Sequence, residues 1–423
     1  MASLLKYFVE HPSVTIDSRN IKPGQIFFAI KGEHFDGNDF VMQALQEGAA
    51  YCIASNPVFH GHDRIIVVDD TLEALQDLAR EYRGTFKFPV LAITGSNGKT
   101  TSKELLSAVL STKFKVHCTY GNLNNHLGVP LTLLATPPDT DFAVVEMGAN
   151  HQGEIRELCA IAKPDYGCIT NIGIAHLEGF GGLDGVRKGK SELFEYLMEH
   201  HGTFFINVQE NSLDFLNDPN NEQLVRISTE TEEITILKPT TDFLSFGWYD
   251  LNVDTHLVGQ YNFNNILIAL GVGRYFGCDG RKMCEAISSY VPRNNRSQMI
   301  EYRGAQVIMD AYNANPSSVI SALDNLIQNP GFNKGLVLGD MLELGEDSAE
   351  YHRKILEYIR KADVFSPVML IGPRFRQFEQ AFPEFQFFGD TDEAVSMIDW
   401  KSMAGYTVLV KGSRGVRLEK LVN

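Results

Sequence analysis

The sequence predicts an α/β protein in three domains, and three observations carry that prediction. Short apolar runs rich in β-branched residues alternate with amphipathic helical segments over most of the chain, as in parallel sheets covered by helices. The alternation halts at Tyr290-Val-Pro-Arg-Asn-Asn-Arg296, which looks like a linker, and then restarts. At 423 residues, the chain is too long for one comfortable core. The expected division is a small N-terminal α/β domain (1–88), a central domain with a mostly parallel sheet (89–292) and a doubly wound, Rossmann-like C-terminal domain (293–423).

In the first segment, Asp17-Ser18-Arg19 precedes the turn Ile21-Lys-Pro-Gly24 and a strand expected over 25–30. A second turn at 31–37 leads to a helix expected over 39–48 and a strand over 50–54. Residues 65–68 give another strand, and 71–82 an amphipathic helix with Leu72, Leu75, Leu78 and Ala79 on one face. On charge alone, Arg19 belongs to the surface.

The central segment opens on Val90-Leu-Ala-Ile-Thr-Gly-Ser-Asn-Gly-Lys-Thr-Thr101. Val90 to Ile93 suits a buried parallel strand. Gly95-Ser96-Asn97-Gly98 makes a tight turn, and Lys99-Thr100-Thr101 opens a helix with Leu105, Leu106, Val109 and Leu110 at helical spacing. Strand, glycine turn and helix N-terminus together form an anion site. Backbone N–H groups and the helix dipole face a phosphate, Lys99 adds charge, and Thr100 can hold Mg²⁺. The loop is shorter than the Walker pattern, with Ile93 where that pattern has its first glycine. ATP is the expected ligand.

Downstream, strands are expected over 115–118, 142–145, 166–172 and 204–208, and the 225–258 region is expected to add antiparallel hairpins. Helices are expected over 128–134, 186–199 and 266–275. Gly121-Asn-Leu-Asn-Asn-His126 follows a strand end, where open α/β sheets place ligands. Glu146 ends the 142–145 strand, where a carboxylate beside a phosphate loop can coordinate Mg²⁺ directly or through water. His176 and Lys190, taken alone, are an ordinary structural histidine and a solvated helix lysine. Asn262 and Asn265 suit a helix cap, and equally the edge of an adenine.

After the linker, strands are expected over 305–309, 335–338, 368–371, 385–388 and 407–410, and helices over 317–327, 349–361, 374–381 and 391–398. Polar loops stand at their strand ends, at 310–316, 339–343 and 411–414. No second phosphate loop occurs there, so this domain is expected to supply the substrate side of an interdomain cleft.

Composition narrows the function. With 44% hydrophobic and 21% charged residues the chain is an ordinary globular protein, and a net charge of −16 argues against a nucleic-acid surface. Six scattered cysteines without a CxxC pair suggest reduced thiols and no zinc site. No signal-peptide pattern and no run of about twenty apolar residues is present, so a cytoplasmic protein without membrane insertion is expected. Nothing such as a heptad seam demands an oligomer, and a monomer is expected.

The motifs Gly95–Thr101, Asn122-Leu-Asn-Asn125, Glu146-Met-Gly148, Asn171 to His176, Lys190, Asn262 with Asn265, Arg296 and Asp310 follow one another in order. In that order and spacing the chain resembles the Mur ligases, ATP-dependent amide-forming enzymes of bacterial peptidoglycan precursor synthesis. Asp17-Ser-Arg with Phe27 to Gly32, Asp310 to Ser317, Gly339 to Gly345 and Lys411 to Arg414 are similar to the member that adds D-alanyl-D-alanine to UDP-N-acetylmuramoyl-tripeptide. The Asp-Asn-Pro-Arg stretch of diaminopimelate-adding members is absent, and Tyr261 stands where many relatives carry His.

The resemblance implies the remaining roles. The 95–101 loop with Lys99 would hold the ATP phosphates, Asn262 and Asn265 would face adenine, and Arg296 and Asp310 would reach ribose or phosphate. Thr100 and Glu146 would hold one Mg²⁺, and His176 and Lys190 a second, with Lys190 carried as a carbamate. Lys99, His176 and Lys190 would be the catalytic group. Ser18 and Arg19 would bind the uridine nucleotide; Asn125, Tyr312, Asn313, Asn315, Lys411, Ser413 and Arg414 would complete the substrate contacts. Two alternatives stand beside this: another Mur-type ligase adding a different amino acid, and a small-molecule kinase or NTPase using the same phosphate loop.

Overall fold

The computed structural model describes residues 3–237, 243–293, 295–329, 331 and 333–422. The alternating apolar runs pair into three parallel or largely parallel sheets, plus one small antiparallel sheet. The first sheet has four parallel strands in chain order: Val14–Thr15, Ile26–Phe28, Tyr51–Ala54 and Ile65–Val67. Phe27 and Cys52 face the short helix Val41–Gln46, while Ile26, Phe28 and Ile53 pack with Leu75 and Leu78 of the helix Thr71–Arg83. Asp70 caps that helix by accepting from the backbone N–H groups of Leu72 and Glu73. At its far end Arg83 donates to Ala162 O, Lys163 O and Asp165, which fastens the N-terminal unit to the central one. The helix expected over 39–48 is instead a 3₁₀ turn, Gly37–Phe40, followed by Val41–Gln46.

The central sheet has six parallel strands in the order Leu224–Ile227, Thr203–Asn207, Tyr166–Ile169, Val90–Thr94, Phe142–Glu146, Val116–Cys118. The strand before the glycine turn therefore lies between two neighbours reached by crossovers on opposite sides. That is the switch point at which open α/β sheets bind ligands. One face packs on the helices Lys99–Leu110 and Tyr261–Tyr275, the other on the helices Glu154–Ala162 and Leu183–Glu199. Two expectations are corrected here. The 224–227 strand extends the parallel sheet, and antiparallel pairing is confined to Ile234–Ile236, Phe243–Trp248 and Leu251–Val258. The 166–172 strand stops at Ile169, because Thr170 and Asn171 turn to brace the phosphate loop. Part of the expected hairpin region, 238–242, and Asn294 of the expected linker lie outside the described residues.

The C-terminal sheet runs Gln298–Tyr302, Ala305–Asp310, Thr407–Lys411, Lys334–Gly339, Val368–Ile371, Gln386–Phe388, parallel except for its first, antiparallel strand. This is the expected Rossmann-like sheet with one unforeseen edge strand. The helix expected over 374–381 is a single turn, Pro373–Arg376. Five α-helices, Leu5–Glu10, Glu154–Ala162, Leu177–Phe180, Thr229–Glu232 and Gly280–Ser289, were not foreseen. Among the described residues, no helix is long and apolar enough to cross a membrane.

Candidate active site

The glycine turn has the conformation its residues require. Gly95 and Gly98 take φ of 143° and 78°. A Cβ on Gly95 would lie 2.0 Å from Thr170 Oγ1, and one on Gly98 2.6 Å from Asn265 Oδ1. The neighbouring strand end holds the loop from the side. Asn171 accepts from Asn97 N (3.0 Å) and donates to Asn97 O (3.1 Å), while Thr170 Oγ1 donates to the same carbonyl (2.6 Å). Lys99 folds over its own loop, donating to Gly95 O at 2.6 Å and Ser96 O at 3.2 Å. Burial pushes its pKa below the usual lysine value; Glu146 and Glu343 oppose that shift, and Arg296 adds to it.

Beside the loop, Glu146 is fully buried at its strand end. Its carboxylate accepts from Thr100 Oγ1 at 2.9 Å and from Asn124 Nδ2 at 2.8 Å. A hydroxyl and a carboxylate next to a phosphate site are hard oxygen donors of the kind Mg²⁺ takes, with substrate phosphates and water completing its shell. Among the described residues no three His, Cys, Asp or Glu side chains converge as a metal-holding group.

His176, with φ of 53°, precedes the turn Leu177–Phe180, and its Nδ1 lies 2.8 Å from Glu343 Oε2 of the C-terminal unit. Lys190 sits behind this wall of the cleft. Its Nζ donates to Ala149 O at 3.2 Å and lies 5.0 Å from the Phe180 ring, with the Glu154 and Glu192 charges only partly opposing the effect of its burial. Burial pushes its pKa well below the ordinary value, and the Lys99 charge pushes the same way. The solvated-lysine expectation is thereby corrected: Lys190 is 1% exposed.

The opposite wall comes from the C-terminal sheet. Lys411 Nζ is 2.6 Å from Asp310 Oδ2 and 3.3 Å from Asn313 O. Ser413 Oγ accepts from Leu342 N at 2.9 Å. The guanidinium carbons of Arg296 and Arg414 lie 3.6 Å and 5.3 Å from the centre of the Tyr312 ring. Asn315 caps the helix Pro316–Gln328 and donates to Asn97 Oδ1 at 2.7 Å, so it joins the two walls.

Between the walls lies a cleft of about 810 Å³. Of the residues singled out from sequence, Ser96 to Thr101, Asn125, Glu146, His176, Asn262 and Asn265 line it from the central unit. Arg296, Asp310, Tyr312, Asn313, Lys411, Ser413 and Arg414 line it from the C-terminal unit. Gly95, Lys190 and Asn315 stand behind the lining. Ser18 and Arg19 are not brought to it, and Arg19 is exposed, paired with Asp17 at 2.8 Å. Asn262 and Asn265 are buried, with amides engaged by Val258 O, by each other and by Ser102. Tyr261 likewise reaches Ser297 Oγ at 2.7 Å.

Sequence reasoning missed several participants. Asn124 and Asn171 lay inside recognised motifs but had no assigned contact. Glu343 had none until the C-terminal sheet brought it to His176. Lys103, 3.9 Å from Glu146 and fully buried, carried no local signal at all.

Comparison with known proteins agrees with this geometry. The chain matches three family descriptions in succession: "Mur ligase family, catalytic domain" over 12–83, "Mur ligase middle domain" over 93–273 and "Mur ligase, glutamate ligase domain" over 295–414. It is 34% identical to the UDP-N-acetylmuramoyl-tripeptide–D-alanyl-D-alanine ligases of Bacillus subtilis and of Escherichia coli, covering 97% of this chain and 92% of each relative. Among solved structures it is similar to MurF from Acinetobacter baumannii (30% identity, TM-score 0.85, covering 97% of this chain and 92% of that one). It is also similar to the Thermotoga maritima MurF ligase in complex with ADP (29% identity, TM-score 0.83, covering 100% and 97%). By sequence over nearly its whole length, and by the fold that carries the cleft, the chain belongs to the Mur ligase family.

Proposed function

We propose that this chain joins D-alanyl-D-alanine to UDP-N-acetylmuramoyl-tripeptide, using ATP to activate the tripeptide carboxylate, in peptidoglycan precursor synthesis. The observation that carries this is one cleft with a phosphate loop on one wall and the polar loops 310–313 and 411–414 on the other. Relatives that cover almost the whole chain and are named for this reaction support the same reading. The assigned units are 1–88 for the uridine nucleotide, 89–292 for ATP, and 293–423 for closure and the dipeptide. Ser18 and Arg19 stay in that assignment as nucleotide contacts, since an exposed loop can meet a ligand that extends beyond the cleft.

A carboxylate is a poor acylating agent, because its leaving group would be oxide. Its oxygen therefore attacks the γ-phosphorus of ATP, ADP leaves, and an acyl phosphate forms. The dipeptide amine then adds to the acyl carbon, loses its proton, and phosphate departs with the original carboxylate oxygen. Lys99 and the loop amides hold the phosphates, and Lys99, once it turns from Gly95 O, offsets charge on the transferring group. In this reading Arg296 meets the nucleotide, while Tyr312 and Arg414, whose side chains pack together, meet the dipeptide. Docking of the C-terminal wall excludes water from the acyl phosphate.

Mg²⁺ fits the oxygen donors Thr100 and Glu146, and there it would neutralise phosphate charge during transfer. For a second ion, His176 and Lys190 fit only if Lys190 is carbamylated. Its environment suits that modification: burial and the Lys99 charge push its pKa down, which favours the neutral amine, the form that adds to CO₂. The product is an anion with two oxygens, where the unmodified side chain has no oxygen donor to offer. A monomer acting in the cytoplasm completes the proposal.

The test is an acceptor panel. With ATP, Mg²⁺ and UDP-N-acetylmuramoyl-tripeptide supplied, ADP release should depend on D-alanyl-D-alanine and not on diaminopimelate, L-lysine or glutamate. Dependence on one of the others would move the chain to a different Mur ligase, and ADP release with no acceptor at all would favour an NTPase.

A further inference from the structure

Two lysines are among the largest fully buried side chains, Lys190 and Lys103, and only the first has a role so far. Lys103 lies four residues after Lys99 and three after Thr100 on the helix Lys99–Leu110, so all three project from one helix face. Its Nζ donates to Gly121 O at 3.4 Å and stands 3.9 Å from both Glu104 Oε1 and Glu146 Oε2. Glu104 is partly exposed and accepts from the Tyr290 hydroxyl; Glu146 is as buried as Lys103 itself. Thr100 and Asn124, the hydrogen-bond donors on the Glu146 oxygens, are neutral. Among the described residues Lys103 is the one cation within 4 Å of that carboxylate.

A buried charge persists only when it is paired, because taking an ion out of water is costly. The Lys103–Glu146 pair meets that condition from both sides. It also places a fixed positive charge beside the carboxylate that the metal would share. We propose that Lys103 is a positioning residue acting through Glu146. It keeps the carboxylate aimed between Thr100 and Asn124, and it weakens the hold on the divalent cation that the site would take. The metal can then be captured and released with each nucleotide rather than retained. The second half of this inference rests on the metal role proposed for Glu146; the first does not.

Two measurements on the nucleotide-free protein test it. Mn²⁺ binding is followed from the loss of the free-ion paramagnetic resonance signal. Thermal melting in metal-free buffer is recorded for the wild type, Lys103→Met, Glu146→Gln and the double variant. Lys103→Met should bind Mn²⁺ at least about fivefold more tightly, as expected when a like charge is removed at this range. It should melt lower than wild type without metal, and the double variant should melt higher than Lys103→Met because no unpaired charge is left. A merely structural lysine would lower the melting temperature without tightening Mn²⁺ binding. A Mn²⁺ affinity within twofold of wild type overturns the metal half of the inference. A double variant that melts no higher than Lys103→Met, or fails to fold, overturns the pairing. If Glu146→Gln binds Mn²⁺ like wild type, the metal reading of Glu146 is what fails, while the melting comparison still decides the pairing.

Discussion

Lys190 and His352 illustrate how burial sets the chemistry of a single residue. Lys190 has a carbonyl and a ring for company, and the proposed carbamate gives it a purpose there. Lys190→Ala should lose activity by at least about a hundredfold, a typical cost when an essential metal-holding group is removed. Short-chain carboxylates added to the assay should restore part of it. Wild-type turnover in that variant would remove Lys190 from the mechanism. His352 is fully buried, donates from Nδ1 to Ser348 O at 2.7 Å and accepts on Nε2 from Met341 N at 3.1 Å. Burial lowers its pKa to about 4, the Ser348 carbonyl opposes that, and Arg374 adds to it. The unfolded chain takes up this proton near pH 6.5 and the folded one does not. Stability from this site is therefore complete above about pH 6.5 and lost as pH falls toward 4, by up to about 3 kcal/mol. Urea melts at pH 7 and pH 4.5 should show His352→Gln to be less pH-dependent than wild type by that order. At this scale Lys99, Thr100 and Glu146 were legible in sequence because their neighbours along the chain identify them. Lys103 and Glu343 were not, since only partners far away in sequence give them meaning.

Among elements, the legible ones were those whose burial pattern is local. Val90–Thr94 is buried at every position, as a parallel strand between two neighbours must be, and its apolar run announced it. The helix Thr71–Arg83 announced itself by the periodicity of Leu72, Leu75, Leu78 and Ala79. What failed was decided by tertiary demands. Thr170 and Asn171 continue an apolar strand in sequence, yet their side chains hold Asn97, so the strand ends before them. Leu224–Ile227 has no turn that specifies a partner, and it takes the open edge beside Thr203–Asn207. The helix Pro316–Gln328 carries a prediction of its own. Asn315 caps it through Oδ1 and reaches Asn97 through Nδ2. Serine keeps a cap but is too short for that reach. Asn315→Ser should therefore raise KM for ATP several-fold while shifting the melting temperature by only a few degrees, consistent with loss of about 1 kcal/mol. An unchanged KM would mean that the contact does not set the loop.

For the whole molecule, sheet order rather than any single residue makes the site. The phosphate strand lies at the switch point of the central sheet, and the C-terminal sheet presents its strand-end loops across from it. Asn97–Asn315, Ile174–Ser317 and His176–Glu343 join the two walls, and Arg83 ties the N-terminal unit to the central one. The central claim is that this cleft spends ATP on activating a carboxylate, and the fate of one oxygen tests it. The tripeptide substrate is labelled with ¹⁸O in its terminal carboxylate and turned over with ATP and D-alanyl-D-alanine, and the released phosphate is weighed by mass spectrometry. The account predicts one ¹⁸O per phosphate, formed only when the dipeptide is joined; unlabelled phosphate would contradict it.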